Sequence, residues 1–398
     1  MTAPLAGIRV LDLTEGDGAP FCAMQLGDAG ADVVKVEPLE GDWARRLGPP
    51  FQDGDGPLFI GMNRNKRSIA LDLEREEGRA IVRDLAASAD VLVEAFPRAG
   101  DAERLGLDYG TLSAANRGLI YCDLSLLERS GPHADKPATD LIVQGLSGLT
   151  RFVGDRGKEP LRFGSNYAGV TASMYAVQAI LAALLWRRRS GEGQYVETSY
   201  LRAMIATQQN YLAAHSDPDD FSGPFYDAHL RPPIRGYPTK DRNIEFTASY
   251  ARDPGAFQRL LERVGILDEV RADPQFADRE LVADDQAALQ PYLDRAFLDR
   301  SSEEVLQLLE ELGLMCAPVH DYDSMFHDEG ILEQDMLLTV EHPTRGEVKT
   351  VGLPWKLDTP GAVRLAPPTL GEHSDAILTE IGYDEQRIAT LRADGVVR

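Results

Sequence analysis

The sequence predicts an α/β fold in which helices cover a parallel β-sheet, followed by a smaller α+β unit. The chain opens with a βαβ pattern: a strand at 8–13, a helix from about Pro20 and a strand at 32–37. The same order recurs as a strand at 68–71, a helix at 76–86 and a strand at 91–96. Because parallel neighbours are joined through crossover helices, this alternation indicates a parallel sheet with helices packed on its faces.

The longest apolar run, at 170–186, predicts a buried helix that lies in a large core. Three arginines follow at its C-terminal end, where cations complement the helix dipole, and Gly191 is expected to end the helix. Residues 194–200 then alternate as a strand. Since the apolar run is short for a membrane span and leads directly into a strand, we expect no membrane insertion.

The second half of the chain predicts a smaller domain. It contains a strand at 243–248, helices at 254–264 and 284–298, a helix that Ser301 opens with a capping-box pattern, and a strand at 315–319. Strands within 336–357 and a helix at 374–381 follow. We therefore expect a large domain of residues 1–204 and 331–398, a small domain of residues 228–322, and linkers at 205–227 and 323–330.

Composition excludes several classes of function. The chain has 398 residues and a formal net charge of −23, which argues against binding to nucleic acid or to anionic membranes. Its three cysteines, Cys22, Cys122 and Cys316, form no CxxC pair, and its seven histidines are scattered. We therefore expect a cytoplasmic protein without structural disulfides and without a metal site.

A dinucleotide-binding fingerprint is present only superficially. Gly16 and Gly18 precede the first helix, and Glu37 follows about 20 residues later, as in nicotinamide-binding folds. However, Phe21 stands where the third glycine belongs, and the acids at positions 15 and 17 would repel a pyrophosphate. We interpret the motif as a tight turn.

Basic residues flank two of the predicted strands. Arg64, Lys66 and Arg67 precede the strand at 68–71, and Arg98 and Arg104 follow the strand at 91–96. Ligands of open α/β sheets bind outside the C-terminal ends of the strands, and arginine suits phosphate groups. Two interpretations stay open, a solvated turn that balances nearby acids or a docking site for a phosphorylated carrier.

An ordered set of segments resembles the family III CoA-transferases (CaiB/BaiF), which include formyl-CoA transferases and α-methylacyl-CoA racemases. The resemblance covers nearly the whole chain and is carried by GIRVLDLT, GADVVKVE, NRNKRSIALDL, ADVLVEAF, ERLGLDYGTL and VEHPTRGEVKTVGLPWKL. It implies a Rossmann-like large domain, a smaller α+β domain and a dimer of interlocked rings. It also implies that CoA and acyl-CoA are substrates, that no metal takes part, and that Lys66, Arg67, Phe96 and Arg104 hold CoA.

The resemblance places Ser165 at the position of the family's aspartate nucleophile. A serine ester is too stable to return its acyl group to a thiol, and no histidine flanks Ser165 to activate it. Thr139 and Ser165 also stand where the racemases carry their two bases, so we expect no racemase activity. Asp140 survives, and either a helix cap or a catalytic role would account for it.

Three functional hypotheses follow. The first is a CoA-binding subunit that resembles the non-nucleophilic member of a heteromeric transferase, with a homologous partner subunit supplying the catalytic aspartate. It would move CoA between an acyl-CoA donor and a carboxylic acid. The second is a self-sufficient acyl-CoA enzyme of different chemistry that uses Asp140 or Asp17, as a homodimer. The third is a catalytically inactive CoA-binding or structural protein.

Overall fold

A computed structural model describes residues 3–398, apart from 52–53, 135, 152–158, 210–211, 213–235, 249–252, 254, 283–284 and 343. The chain divides into two compact units. The first comprises Met1–Val153, Leu161–Gln209 and Gly330–Arg398, and the second comprises Gly154–Pro160 and Asn210–Glu329. The domain limits expected from the sequence stay a prediction, and so does the dimer of interlocked rings.

The first unit is built on a parallel sheet. Its strands are β1 (Arg9–Leu13), β2 (Asp32–Glu37), β3 (Lys66–Ala70), β4 (Val91–Glu94), β5 (Ile120–Ser125) and β6 (Gln194–Ser199). Their spatial order is β3-β2-β1-β4-β5-β6, and every neighbouring pair is parallel. This is the order of doubly wound Rossmann-like sheets, so the predicted fold class is confirmed.

Helices cover both faces of this sheet. The helices before β7 are α1 (Pro20–Asp28), α2 (Pro57–Met62), α3 (Glu76–Ala87), α4 (Asp101–Leu105), α5 (Tyr109–Ala115), α6 (Asp140–Leu146), α7 (Tyr167–Ser190) and α8 (Tyr200–Ala206). One core packs α1 and α7 against Val10 and Val91, and the other packs α3 against Leu11 and Leu92. Successive strand residues therefore face opposite cores, which explains why the strands are apolar throughout.

Helix α7 is longer than predicted and only one of its faces is buried. Ala172 and Ile180 lie in the core, whereas Met174, Leu185 and Trp186 are 50%, 60% and 55% exposed. The prediction of a buried helix is wrong for this exposed face. A run that is apolar on all sides has no periodicity, so the sequence could not separate the buried face from the exposed one. By length and composition alone the helix could cross a membrane, but here its buried face packs on α1 and β5. Its predicted C-terminal glycine has φ 78°.

The second unit combines a small antiparallel sheet with helices. Its elements are β7 (Tyr237–Pro238), β8 (Asn243–Thr247), α9 (Ala256–Val264), α10 (Leu267–Ala272), α11 (Gln290–Leu298), α12 (Ser302–Glu311), β9 (Met315–Pro318) and α13 (Tyr322–Met325). The three strands pair in the order β7-β8-β9 around a core that includes Phe246, Phe257 and Phe297. The capping box at Ser301 is confirmed. The helix starts predicted at 254 and 284 lie outside the described residues.

The remaining elements complete the first unit. They are α14 (Glu329–Leu332), the antiparallel pair β10 (Leu337–His342) and β11 (Gly346–Val351), α15 (Ser374–Glu380) and α16 (Glu385–Ala393). Of the linker expected at 205–227, only 205–209 and 212 are described, and α8 extends into it. The linker expected at 323–330 contains parts of the short helices α13 and α14.

Candidate active site at the reversal point of the sheet

A cavity of about 240 Å³ opens at the C-terminal ends of β1 and β4, where the strand order reverses. Ligands of doubly wound sheets bind at this point, so the cavity is the candidate active site. A neighbouring cavity of about 480 Å³ shares Phe96, Pro97 and Leu126 with it. The smaller cavity is lined by Leu13, Glu15, Asp17, Trp43, Ala95, Phe96, Pro97, Leu124, Leu126 and Tyr200.

Two carboxyl groups line this cavity, those of Glu15 and Asp17. Partial burial raises the pKa of both, because it disfavours the charged form. The charge of Asp140 raises the pKa of Asp17 further, and the charge of Asp42 acts in the same way on Glu15. Carboxyl groups with raised pKa values in a cleft are suited to proton transfer or nucleophilic attack.

Asp140 is the first residue of α6, and its buried carboxylate caps a different helix. Its Oδ2 accepts a hydrogen bond of 2.7 Å from the backbone N–H of Gly169, in the first turn of α7. Its Oδ1 accepts one of 2.6 Å from Nε2 of Gln144. The carboxylate therefore satisfies a free N–H group of α7 and complements its dipole. Asp140 therefore caps α7 and not the helix that it begins, and a catalytic role for it stays a prediction.

The start of α7 is pressed against the turn that follows β1. A Cβ atom built on Gly169 would lie 2.8 Å from Cα of Gly18 and 2.8 Å from the ring of Tyr200. Ser173 donates a 2.8 Å hydrogen bond to the carbonyl oxygen of Gly18, and the N–H of Ala19 donates one of 2.8 Å to the hydroxyl of Tyr200. These contacts fix the turn that carries the cavity's carboxyl groups, and they require glycine at both positions.

Ser165 lies exposed in the segment before α7. Within the described residues its hydroxyl makes no hydrogen bond, so no base activates it there. Its carbonyl oxygen accepts a 3.3 Å hydrogen bond from Nε2 of Gln144, the same amide that binds Asp140. The structure thus brings the two predicted catalytic residues to one side chain. That Ser165 occupies the nucleophile position stays a prediction.

The predicted CoA-binding residues do not form one cluster. Phe96 and Arg98 follow the C-terminal end of β4, and both line the 480 Å³ cavity together with Lys136. Lys66 and Arg67 begin β3, so they lie at the opposite end of the parallel sheet. The sequence already placed these two sets before one strand and after another, which puts them at opposite ends of a parallel sheet. Contact of any of them with CoA stays a prediction.

Three of these basic side chains have ionic partners within the protein. Nζ of Lys66 is fully buried and donates hydrogen bonds of 2.8 Å to each of Asp12 Oδ2, Pro20 O and Asn63 Oδ1. Arg67 binds Asp32 and Glu380, and the exposed Arg104 binds Glu74 and Asp101. Arg98, by contrast, is exposed at the mouth of the larger cavity.

A network of charges beneath Phe96 was not predicted from the sequence. Glu94 accepts a 2.6 Å hydrogen bond from the N–H of Phe96, and Arg129 donates one of 2.8 Å to the Phe96 carbonyl oxygen. Arg129 also binds the carboxylates of Glu94 and Asp123. The network therefore holds the loop that forms one wall of both cavities. The signal in the sequence that could have indicated this network was Glu94, an acid near the end of an apolar predicted strand.

The fold and the cavity together define a Rossmann-like α/β protein with a candidate ligand site at the reversal point of the sheet. The chain belongs to CoA-transferase family III, whose family model matches residues 5–374. It is 33% identical to the succinate–glutarate CoA-transferase of Agrobacterium fabrum, over 95% of this chain and 96% of that one. It is 30% identical to the succinyl-CoA–L-malate CoA-transferase beta subunit of Chloroflexus aurantiacus, over 100% and 98%.

A solved structure also matches the whole fold. A CaiB/BaiF family protein from Brucella suis superposes with a TM-score of 0.85 at 29% identity, covering 96% of this chain and 100% of that one. The family predicted from the ordered segments is therefore confirmed. Relatives of this kind act on CoA thioesters, in agreement with the predicted substrate class.

The pKa of Glu94 supplies a test of the network beneath Phe96. Burial and the charge of Asp123 raise that pKa from 4.5 to about 8, against the opposing charge of Arg129. Between these pH values the folded protein holds a proton that the unfolded chain has released, so the free energy of unfolding falls as pH rises. We expect Glu94→Gln to flatten this fall, as measured by thermal unfolding at pH 5, 6, 7 and 8. Equal slopes for the variant and the unmodified protein would contradict the assignment.

Proposed function

We propose that this chain is the CoA-binding, non-nucleophilic subunit of a CoA-transferase. The complex would move CoA between an acyl-CoA donor and a carboxylic acid, and a homologous partner subunit would supply the catalytic aspartate. One observation carries the proposal: the exposed hydroxyl of Ser165 has no hydrogen-bonded base among the described residues, in a chain that matches the family model almost throughout.

The chemistry of the transfer explains why a hydroxyl would not suffice. An aspartate carboxylate attacks the thioester of the donor and releases CoA thiolate, which leaves a mixed anhydride. The thiolate then attacks that anhydride, forms an enzyme thioester and releases the donor acid, and the acceptor acid reverses the sequence. Each intermediate must stay close in free energy to a thioester. A serine ester is much more stable and would trap the acyl group.

The exposed face of α7 supports a partner subunit. Leu181, Leu185 and Trp186 are 39%, 60% and 55% exposed and lie within about one turn of each other on α7, and exposed apolar groups clustered on a helix often mark protein interfaces. A relative named as a beta subunit, from Chloroflexus aurantiacus, matches this chain from end to end. A subunit role is therefore known for a homologue of the same length.

Co-expression tests the proposal. The chain would be produced alone and together with a homologous chain from the same organism that carries the aspartate. We expect a mixed dimer that transfers CoA, no transfer by this chain alone, and complete loss of activity when alanine replaces the partner's aspartate. A stable homodimer that does not associate with the homologue would contradict the proposal.

A second candidate is a self-sufficient acyl-CoA enzyme that uses Asp17. It is favoured by the position of Asp17 in the cavity and by its raised pKa, to which Asp140 contributes. Incubation of the chain alone with acyl-CoA and hydroxylamine would then leave a hydroxamate on Asp17, detected by mass spectrometry and absent from Asp17→Asn. An unmodified Asp17 would exclude this candidate. Calorimetric binding of CoA without transfer, alone or with the homologue, would identify a binding protein.

A further inference from the structure

A separate cavity of about 390 Å³ lies beside the C-terminal ends of β4 and β5. Its volume is in the range of small-molecule sites, and the proposed transfer of CoA makes no use of it. The cavity is distinct from the candidate active site, since the two share no lining residue. The residues that carry the inference are Glu94, Tyr109, Tyr121, Asp123, Arg129 and Tyr195.

Three tyrosine rings form one wall of this cavity. The ring centroids of Tyr109, Tyr121 and Tyr195 lie 5.7 to 6.0 Å apart. The hydroxyl of Tyr195 donates a 2.9 Å hydrogen bond to Asp123. The hydroxyl of Tyr121 is buried and has no hydrogen-bond partner among the described residues. Buried polar groups are nearly always hydrogen-bonded, so the unpaired hydroxyl of Tyr121 indicates a ligand atom that forms a hydrogen bond with it.

The polar groups around the rings are mainly acceptors. Glu94 and Asp123 line the cavity, and so do Glu103 and Asp108. Arg129 faces them and donates to the carboxyl groups of Glu94 and Asp123 and to the carbonyl oxygen of Phe96. Arg98 also lines the cavity, so acidic side chains outnumber the arginines in its lining. A protonated primary amine carries three donors and no acceptor, and a cation is attracted to the faces of aromatic rings. The cavity therefore matches an amine better than an acid or an alcohol.

We propose that this cavity binds a small organic amine in its protonated form, with the hydroxyl of Tyr121 and the carboxylate of Asp123 accepting from the ammonium group. The tyrosine rings contact the hydrocarbon body of the ligand. The site is independent of the proposed subunit role. Arg98 lines both this cavity and the 480 Å³ cavity, so a ligand bound in one cavity would change the position of Arg98 at the mouth of the other.

Isothermal titration calorimetry of the full chain tests this with three probes of equal size: benzylamine, benzyl alcohol and benzoate. We expect benzylamine to bind about ten-fold more tightly than benzyl alcohol, since charge-assisted hydrogen bonds are the stronger ones, and benzoate not to bind. Equal affinity for the amine and the alcohol would overturn the proposal, as would the absence of benzylamine binding.

Matched variants locate the site. Tyr121→Phe removes only the unpaired hydroxyl, and Asp123→Asn removes a charge; each should weaken benzylamine binding about five-fold or more. Tyr383→Phe is the control, because that hydroxyl binds Asp84 at the surface, and it should bind benzylamine as the unmodified chain does. If Asp123→Asn fails to fold, the affinity of Tyr121→Phe for benzylamine alone tests the proposal. Unchanged affinity in Tyr121→Phe would place any amine binding elsewhere and refute the assignment.

Discussion

Replacing Lys66 with methionine is expected to destabilise the first unit by about 3 to 5 kcal/mol. The change removes the partner of Asp12, whose carboxylate is fully buried. It also removes one hydrogen bond from the carbonyl oxygen of Pro20 and leaves the amide oxygen of Asn63 without a donor among the described residues. An uncompensated buried charge is among the most costly defects in a core. Urea unfolding followed by circular dichroism would measure the loss.

Arg67→Met provides the matched control. Arg67 adjoins Lys66 in β3, but its partners Asp32 and Glu380 are about half exposed, so its loss should cost about 1 kcal/mol or less. The pair of variants also tests the predicted contact with CoA. A Lys66 variant that retained full stability but lost CoA affinity would show that the side chain binds CoA and contributes little to the core.

Alanine at position 169 is expected to cost about 3 kcal/mol. The new methyl group would lie 2.8 Å from Cα of Gly18, and neither backbone can yield without separating α7 from the turn after β1. The shift would also weaken the hydrogen bond between Asp140 and the N–H of residue 169. That turn carries the carboxyl groups of the candidate active-site cavity. We therefore expect the affinity for acyl-CoA to fall together with the free energy of unfolding.

Gly145→Ala is the control for this variant. Gly145 lies within α6, and no atom of the described residues lies within 4 Å of the position that the new methyl group would take. Alanine should therefore stabilise the helix by about 0.5 to 1 kcal/mol. Denaturant midpoints of the two variants should move in opposite directions. Similar midpoints for both would mean that the contact between positions 18 and 169 is not tight in solution.

Local patterns were enough to predict the elements of the sheet. The strand predicted at 32–37 matches β2, and Pro20 opens α1 as its restricted φ favours. The start of β3 was misplaced by two residues, so the sequence could not show that Nζ of Lys66 is buried and paired with Asp12. Helix α7 was predicted to be buried because an apolar run without periodicity does not reveal which face is covered.

The site depends on contacts between residues that are distant in sequence. Gly18 and Gly169 meet across 151 positions, and no local pattern predicts that approach. The same holds for Arg129, which binds Glu94 and holds the backbone of Phe96 from 33 positions away. For Asp140 the sequence left a helix cap and a catalytic role open. The structure shows that the capped helix is α7, which only the tertiary fold determines.

The cap that Asp140 gives to α7 ties two helices into one cooperative element. The N–H of Gly169, in the first turn of α7, donates a hydrogen bond to the carboxylate of Asp140 in α6. The side chain of Gln144, one turn further along α6, donates to the same carboxylate. Fraying of one helix end therefore exposes the other. In a hydrogen–deuterium exchange experiment, α6 and the beginning of α7 should take up deuterium at a common rate, as a single foldon.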